Sequence, residues 1–159
     1  MVSLLLRNLF FIILQPGIVA GLMPFLILGN EASKNNILAQ PLTFHHYSGA
    51  TIFIIGFVIM MICIISFAVN GRGTLSPADP TKRLVISGLY KFSRNPMYVG
   101  VTMILLGEAI YFQSMYLWVY SLFVFVAFNI FILLSEEPRL RKDFGEEYYL
   151  YCKKVKRWI

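Results

Sequence analysis

Long apolar stretches are the feature that most constrains how this chain can fold. Four of them stand out, at residues 4–28, 48–70, 96–112 and 115–135. A helix needs about 20 apolar residues to cross a bilayer. The second and fourth stretches meet this length, while the third is short and is joined to the fourth by a tight turn at Gln113 and Ser114, as a helical hairpin. The sequence therefore predicts an all-α integral membrane protein with about four transmembrane helices.

The composition supports a membrane protein. Hydrophobic residues make up 58% of the chain and charged residues 14%, whereas soluble domains have about 45–50% and about 25%. This balance excludes a disordered chain or a nucleic-acid-binding arm and argues against a soluble enzyme. Cys63 lies in an apolar run and Cys152 in the charged tail, so we expect two unpaired thiols. No repeat is visible, and we predict a single domain over residues 1–159 with its motifs in residues 71–158.

The first stretch is the least regular of the four. Pro16 and Pro24 lie inside it, and proline removes a helix hydrogen bond and kinks the helix. A cleaved signal peptide is the alternative, because a single basic residue, Arg7, precedes the apolar run. Gln15 and Pro16 interrupt that run and no small-residue cleavage site follows, which favours a kinked transmembrane helix.

The basic residues predict the orientation. The chain has 14 Lys and Arg residues and a net charge of +6, and twelve of the 14 lie in residues 71–95 or in the tail after residue 135. Cytoplasmic loops carry the excess of basic residues, so four spans place both termini in the cytoplasm. We expect a multi-pass protein of a bacterial inner membrane. His45 and His46 then lie in the outer loop, as polar interface residues rather than metal ligands.

Two cytoplasmic segments carry unusual residues. Gly71 and Gly73 belong to a loop rich in glycine and proline, which either lets the backbone approach a ligand or simply ends a helix. Further along, Asn95 and Pro96 form a typical helix start, with asparagine as the cap and proline at the first position. Capping does not explain the neighbouring Arg94 and Tyr98, which are either interface anchors or parts of a site.

The third unusual segment is Glu136 and Glu137, directly after the fourth apolar stretch. Negative charge is unfavourable at a helix C-terminus, so we expect a cation nearby, from Arg94 or from a ligand. Helices of about 24 Å and about 31 Å in an antiparallel hairpin place Glu136 near the level of Arg94 and Asn95. The two segments are therefore predicted to converge.

Three further features lie in the helices, and two of them leave alternatives open. Glu108 lies inside the third span, about 18 Å from its cytoplasmic end, and either pairs helices or binds a substrate. Gly100 and Gly107 are seven residues apart and predict close helix packing. The tail has apolar residues at helical spacing between charged ones, and this amphipathic helix either anchors on the membrane or covers the site as a lid. The stripe consists of Leu140, Phe144, Tyr148, Tyr151 and Val155.

The ordered motifs resemble the superfamily of integral-membrane methyltransferases. They are SGLYKFSRNPMYVG at residues 87–100 and EEPRLRKDFGEEYYLYCKKVKRW at residues 136–158. The superfamily includes isoprenylcysteine carboxyl methyltransferase and the phospholipid N-methyltransferases. Asn95 stands where the isoprenylcysteine enzymes usually have histidine, and the NPMY-G and EEP forms are closer to the phospholipid enzymes.

The resemblance implies S-adenosylmethionine as the methyl donor, S-adenosylhomocysteine as the product and a lipophilic or lipid-like acceptor at the cytoplasmic face. It implies catalytic roles for Arg94 and Glu137, membrane lipids as partners, and neither a metal nor a nucleic acid. The implied cofactor-binding residues are Gly71, Gly73, Arg94, Asn95, Pro96, Tyr98, Gly100, Glu136 and Glu137.

The chemistry of a zwitterionic donor agrees with these residues. Carboxylates can bind its ammonium and ribose hydroxyl groups, and Arg94 can pair with its carboxylate. Two other function classes remain: a small-molecule or cation transporter that uses Glu108, and a non-catalytic membrane scaffold of the same fold. The acceptor, its reacting atom, a general base and the oligomeric state are left open by the sequence.

Overall fold

A computed structural model of the protein describes residues 16–35, 42–66 and 84–158. Most of these residues are helical and no strand lies among them, so the all-α prediction is confirmed for this part of the chain. The elements in chain order are a π-helical turn (Ile18–Leu22), α1 (Met23–Asn35), α2 (Phe44–Ser66), a 3-10 turn (Gly88–Lys91), α3 (Pro96–Phe112), α4 (Met115–Phe131), a second π-helical turn (Ile132–Glu136) and α5 (Glu137–Lys154).

Two helices of the described residues are long and apolar enough to cross a membrane. They are α2 and the continuous helix Met115–Lys154, whereas the apolar helices at Ile18–Gly29 and Pro96–Phe112 are shorter. Large apolar side chains are exposed along α2 and α4, among them Ile54 and Leu122, as expected for surfaces that contact lipid. Two candidate spanning helices are thus established, and the count of four remains a prediction.

The turn between α3 and α4 is as tight as the sequence predicts. Gln113 ends α3 in the left-handed conformation, with φ of 49°, and Ser114 caps α4 by accepting a hydrogen bond from the backbone N–H of Leu117 at 3.4 Å. A left-handed residue commonly ends a helix, and serine is a preferred cap. The hairpin of the third and fourth apolar stretches is confirmed.

Four glycines, Gly49, Gly56, Gly100 and Gly107, form a seam between antiparallel α2 and α3, which we call the glycine seam. A Cβ atom on Gly107 would lie 2.6 Å from the backbone nitrogen of Phe53, and one on Gly56 would lie 2.7 Å from the carbonyl oxygen of Gly100. Helices without side chains at their contact can approach closely and gain van der Waals packing. The packing role predicted for Gly100 and Gly107 is confirmed.

The fourth helix is longer than predicted. The apolar pattern predicts its end near residue 135 and a separate amphipathic helix after it, but the π-helical turn connects α4 and α5 without a break. Proline cannot donate a backbone hydrogen bond, and the turn places Pro138 in the first turn of α5, where that loss is tolerated. Glu136 and Glu137 therefore lie within a continuous helix rather than at a helix C-terminus.

Gly145 interrupts the helical geometry of α5. Its backbone has φ of 51° and ψ of −120°, a combination that is essentially restricted to glycine. After this change of direction, Tyr148 and Tyr151 are buried, with exposures of 2% and 9%. Gly145 therefore turns the tail, residues 146–158, back toward the rest of the protein.

We expect Gly145→Ala to destabilise the protein by about 1–3 kcal/mol, because a Cβ atom strains this backbone conformation. Nothing lies within 4 Å of that Cβ position, so the loss would come from strain and not from a clash. Thermal unfolding in detergent measures it, with Glu146→Ala at the exposed, helical neighbour as the control. Equal melting temperatures for the two variants would contradict this explanation.

Candidate functional site

The segment before α3 binds the tail of the chain. Asn95 occupies the cap position and Pro96 the first turn of α3, as predicted, but the Asn95 side chain makes no capping hydrogen bond, so that part of the expectation is wrong. Instead, Asn95 Nδ2 donates to the backbone carbonyl of Arg157 at 3.1 Å. The hydroxyl of Ser93 donates to the same carbonyl at 3.3 Å. Asparagine at this position thus joins two segments that are distant in sequence.

Tyr98 and Glu136 connect the two arms of the hairpin. The Tyr98 hydroxyl donates to Glu136 Oε2 at 2.9 Å, and its ring packs on Phe128 with centroids 4.8 Å apart. This contact confirms that the two segments converge at one end of the hairpin. Among the described residues, no cation lies within 4.0 Å of Glu136, although the charge of Arg139 is close enough to act on it. Glu136 therefore retains acceptor capacity.

Glu137 is the centre of a cluster of charges. Its side chain is 6% exposed and contacts three arginines. Arg157 binds it with two hydrogen bonds, from Nε to Oε1 at 2.8 Å and from Nη2 to Oε2 at 3.2 Å. Arg94 Nη1 lies 3.3 Å from Oε1, and Arg141 Nη2 lies 3.6 Å from Oε2. Three guanidinium groups around one carboxylate leave positive charge in excess, which favours an additional anion.

Arg94 lies at the buried side of this cluster. Its side chain is 13% exposed, and Nη1 also contacts Cys152 Sγ at 2.8 Å. Its Nε is buried and has no hydrogen-bond partner among the described residues. A buried donor without a partner is unfavourable, so a ligand oxygen at this guanidinium would be stabilising.

The tail covers the segment that leads into α3. The Tyr151 hydroxyl donates to the carbonyl of Tyr90 at 2.6 Å, and the backbone N–H of Arg94 donates to the carbonyl of Lys156 at 3.0 Å. Tyr90 is 6% exposed, and this burial raises the pKa of its hydroxyl well above its usual value. These contacts favour the lid over the membrane anchor as the interpretation of the tail.

Trp158, the last described residue, contacts the apolar helix α4. Trp158 Nε1 donates to Asn129 Oδ1 at 3.2 Å, and the Trp158 ring lies against Phe125 with centroids 5.3 Å apart. Trp158 thus has a polar partner and an apolar one, as is common for tryptophan at a membrane boundary. This contact holds the end of the tail next to Glu136 and Glu137.

Most of the predicted site residues meet at this end of the hairpin. They are Arg94, Asn95, Pro96, Tyr98, Glu136 and Glu137. Gly100 lies instead in the glycine seam, so a cofactor contact there remains a prediction. Gly71 and Gly73 lie outside the described residues.

The contributions of Arg157, Arg141 and Cys152 were not predicted from the sequence. The two arginines were counted only as charges that orient the chain. Arg141 could have been found, since it follows Glu137 by four residues on one helix face. Arg157 is twenty residues away and approaches only because the tail turns back at Gly145.

Two other polar features lie away from this cluster. Glu108 is twelve residues along α3 from Pro96, or about 18 Å at 1.5 Å per residue, and its Oε2 is buried without a partner among the described residues. At the start of α2, His46 Nδ1 accepts from the backbone N–H of Thr43 at 3.0 Å, and its ring meets Tyr111 edge-on. His46 therefore satisfies a backbone N–H at the N-terminus of α2. Neither feature contributes to the cluster around Glu137.

Comparison with known families agrees with the motifs in this site. The family model for phospholipid methyltransferases matches residues 44–147, which is more than half of the chain and extends from the start of α2 into α5. The chain belongs to the phospholipid methyltransferase family. The resemblance to integral-membrane methyltransferases is thereby confirmed, on the side of the phospholipid enzymes. Arg157 and Trp158 lie beyond the matched residues.

Two relatives of this phospholipid methyltransferase family member are distant. An uncharacterised protein of Haemophilus influenzae is 32% identical over 63 residues, which cover 40% of this chain and 100% of that protein. Phosphatidylethanolamine N-methyltransferase B of Dictyostelium discoideum is 27% identical over 122 residues, which cover 74% of this chain and 60% of that protein. No solved structure matches the chain.

Proposed function

We propose that this protein transfers a methyl group from S-adenosylmethionine to a lipid or lipid-like acceptor at the cytoplasmic face of a membrane. The observation that carries the proposal is the buried Glu137, which Arg94, Arg157 and Arg141 surround beside the Tyr98–Glu136 hydrogen bond. It occurs in a chain of the phospholipid methyltransferase family. Such a cluster offers both signs of charge to a zwitterionic ligand.

The available side chains fit the charges of S-adenosylmethionine. Its carboxylate suits the positive excess around Glu137 and the Arg94 guanidinium, whose buried Nε has no partner among the described residues. Its cationic groups suit Glu136, which has acceptor capacity beyond the bond from Tyr98. Glu137 is already bonded to arginines, so its proposed task is to hold Arg94 in place. When bound, the donor supplies an electrophilic methyl group on a sulfonium.

The position of the cluster suits a membrane-dissolved acceptor. Tyr98 contacts Phe128 and Trp158 contacts Phe125, both in α4. This helix is part of the continuous helix Met115–Lys154, which is apolar and long enough to span a bilayer. An acceptor in the membrane could therefore approach along apolar side chains, while the tail excludes water from the other side. Excluding water strengthens electrostatic contacts in the site and holds the reactants in line.

Thermal unfolding in detergent with S-adenosylhomocysteine tests the proposal. A ligand at about 100 times its dissociation constant stabilises a protein by about 2.7 kcal/mol, so we expect a rise of several degrees in melting temperature. Arg94→Ala should abolish this rise because it removes the partner of the ligand carboxylate. The exposed Lys91, changed to alanine, is the matched control and should retain it.

The outcomes separate the competing functions. No shift for the wild-type protein at millimolar ligand would refute the methyltransferase. Ligand binding without transfer of label from methyl-labelled donor to any membrane component would favour the non-catalytic scaffold. A transporter predicts proton-coupled uptake that is lost in Glu108→Gln and unchanged in Glu136→Gln. The labelled product would identify the acceptor.

A further inference from the structure

The backbone of Lys156 and Arg157 is held against the site by three hydrogen bonds that do not use the Arg157 side chain. The carbonyl of Arg157 accepts from Asn95 Nδ2 at 3.1 Å and from the Ser93 hydroxyl at 3.3 Å. The carbonyl of Lys156 accepts from the backbone N–H of Arg94 at 3.0 Å. These bonds hold the backbone of residue 157 in place independently of the contact between its guanidinium and Glu137.

The Arg157 guanidinium binds Glu137 more completely than any other described residue. Its Nε and Nη2 reach both carboxylate oxygens, at 2.8 Å and 3.2 Å, in the planar fork that arginine forms with carboxylates. Arg94 makes one contact of 3.3 Å, and Arg141 makes one of 3.6 Å with a side chain that is 70% exposed. The hydrogen bond to Glu137 raises the pKa of Arg157 above its usual value, in agreement with a strong pair.

A two-point contact defines the orientation of the Glu137 carboxylate. Oε1 is shared between Arg157 Nε and Arg94 Nη1, so the fork also defines where Arg94 can pair. Without Arg157, Glu137 could rotate toward Arg94 and bind it with both oxygens. Arg94 would then be less available to a ligand.

We propose that Arg157 is a positioning residue of the donor site, which holds Glu137 so that Arg94 can bind the carboxylate of a zwitterionic donor. The proposal rests on the proposed function. It extends the site into the tail, beyond the residues that the family model matches. Arg157 acts through Glu137 and Arg94 and is not itself a catalytic residue.

Docking of the tail does not depend on the Arg157 side chain. The Tyr151 hydroxyl binds the Tyr90 carbonyl at 2.6 Å, and Trp158 binds Asn129 at 3.2 Å. The backbone carbonyl of Arg157 keeps its two partners whatever side chain it carries. A substitution at Arg157 can therefore remove the contact with Glu137 without undocking the tail.

The test compares Arg157→Gln, Arg157→Lys and the control Lys154→Gln, in which an exposed tail lysine is changed. Calorimetric titration of the detergent-solubilised full chain gives the dissociation constant for S-adenosylhomocysteine. We expect it to rise at least tenfold in Arg157→Gln, to rise less in Arg157→Lys, and to stay at the wild-type value in Lys154→Gln. Lysine keeps the charge but cannot form the fork.

Two further readouts distinguish positioning from a structural role. The KM for the methyl donor should rise in Arg157→Gln while the KM for the acceptor does not change. In the donor-free protein, the losses in melting temperature of Arg157→Gln and Glu137→Gln should not add in the double variant, because both remove one interaction.

If the wild-type protein binds S-adenosylhomocysteine and Arg157→Gln binds it with the same dissociation constant, the role of Arg157 is overturned and the proposed function is unaffected. The role would also be overturned if Arg157→Gln lowered the donor-free melting temperature but kept the full ligand-induced shift. Absence of binding by the wild-type protein would refute the proposed function and, with it, the donor site to which Arg157 is assigned.

Discussion

Replacing Glu137 with glutamine should reduce the affinity for S-adenosylhomocysteine more than a hundredfold and should destabilise the donor-free protein. Glutamine has nearly the same shape, but it leaves Arg94 and Arg157 without the carboxylate that both contact. Breaking a buried ion pair by removing one partner costs about 3–5 kcal/mol. Because the Arg157 side chain is 32% exposed, we expect a loss of stability at or below the lower end of that range.

Calorimetric titration and thermal unfolding measure the two effects of Glu137→Gln. Glu147→Gln is the matched control, since Glu147 is an exposed carboxylate ten residues further along α5, and it should behave as wild type. Wild-type affinity in Glu137→Gln would show that the charge of Glu137 is not needed at the site. Equal loss in both variants would assign the effect to net charge and not to the cluster.

Replacing Gly107 with leucine should prevent α2 and α3 from packing and should greatly reduce the yield of folded protein. The first added atom alone would lie 2.6 Å from the backbone nitrogen of Phe53 and 2.8 Å from the carbonyl oxygen of Gly49. Backbone atoms cannot move away as a flexible side chain can, so the helices would have to separate along the glycine seam. In a membrane, the lost van der Waals contacts are not replaced by a hydrophobic driving force between helices.

Gly107→Ala is the milder form of this test. It should lower the free energy of unfolding by about 1–3 kcal/mol, as overpacking does in other cores. Gly29→Ala is the control, because nothing lies within 4 Å of a Cβ atom at that position. Alanine there should be neutral or slightly stabilising, since it favours the helix over glycine. Thermal unfolding in detergent compares the variants, and a stable Gly107→Ala protein would contradict the close packing.

The third helix shows how much local sequence can predict. Its range of residues 96–112 and the turn at Gln113 and Ser114 were predicted as the structure has them, because proline, serine and a polar break act within one or two residues. The end of the fourth helix was predicted wrongly. The apolar stretch ends near residue 135, but a π-helical turn continues the helix and places Pro138 in the first turn of α5.

For the candidate site too, some contacts were predictable from the sequence and others were not. The prediction that Glu136 lies near the level of Arg94 and Asn95 followed from the lengths of the two helices in the hairpin, which depend only on the rise per residue. The partner of Asn95 did not follow, because its local pattern is that of a helix cap and its amide binds the Arg157 carbonyl instead. Local propensity favoured the cap, whereas a contact across 62 residues supplied the hydrogen bond.

Apolar length, charge distribution and short motifs were enough to predict a helical membrane protein and its family, because each depends on residues close together in the chain. The arrangement of charges around Glu137 depends on the folded tail. Gly145 reverses the chain, Tyr151 and Trp158 dock it, and Arg157 then meets a carboxylate twenty residues earlier. Such a contact is selected by the packing of the whole tail, which no local pattern encodes.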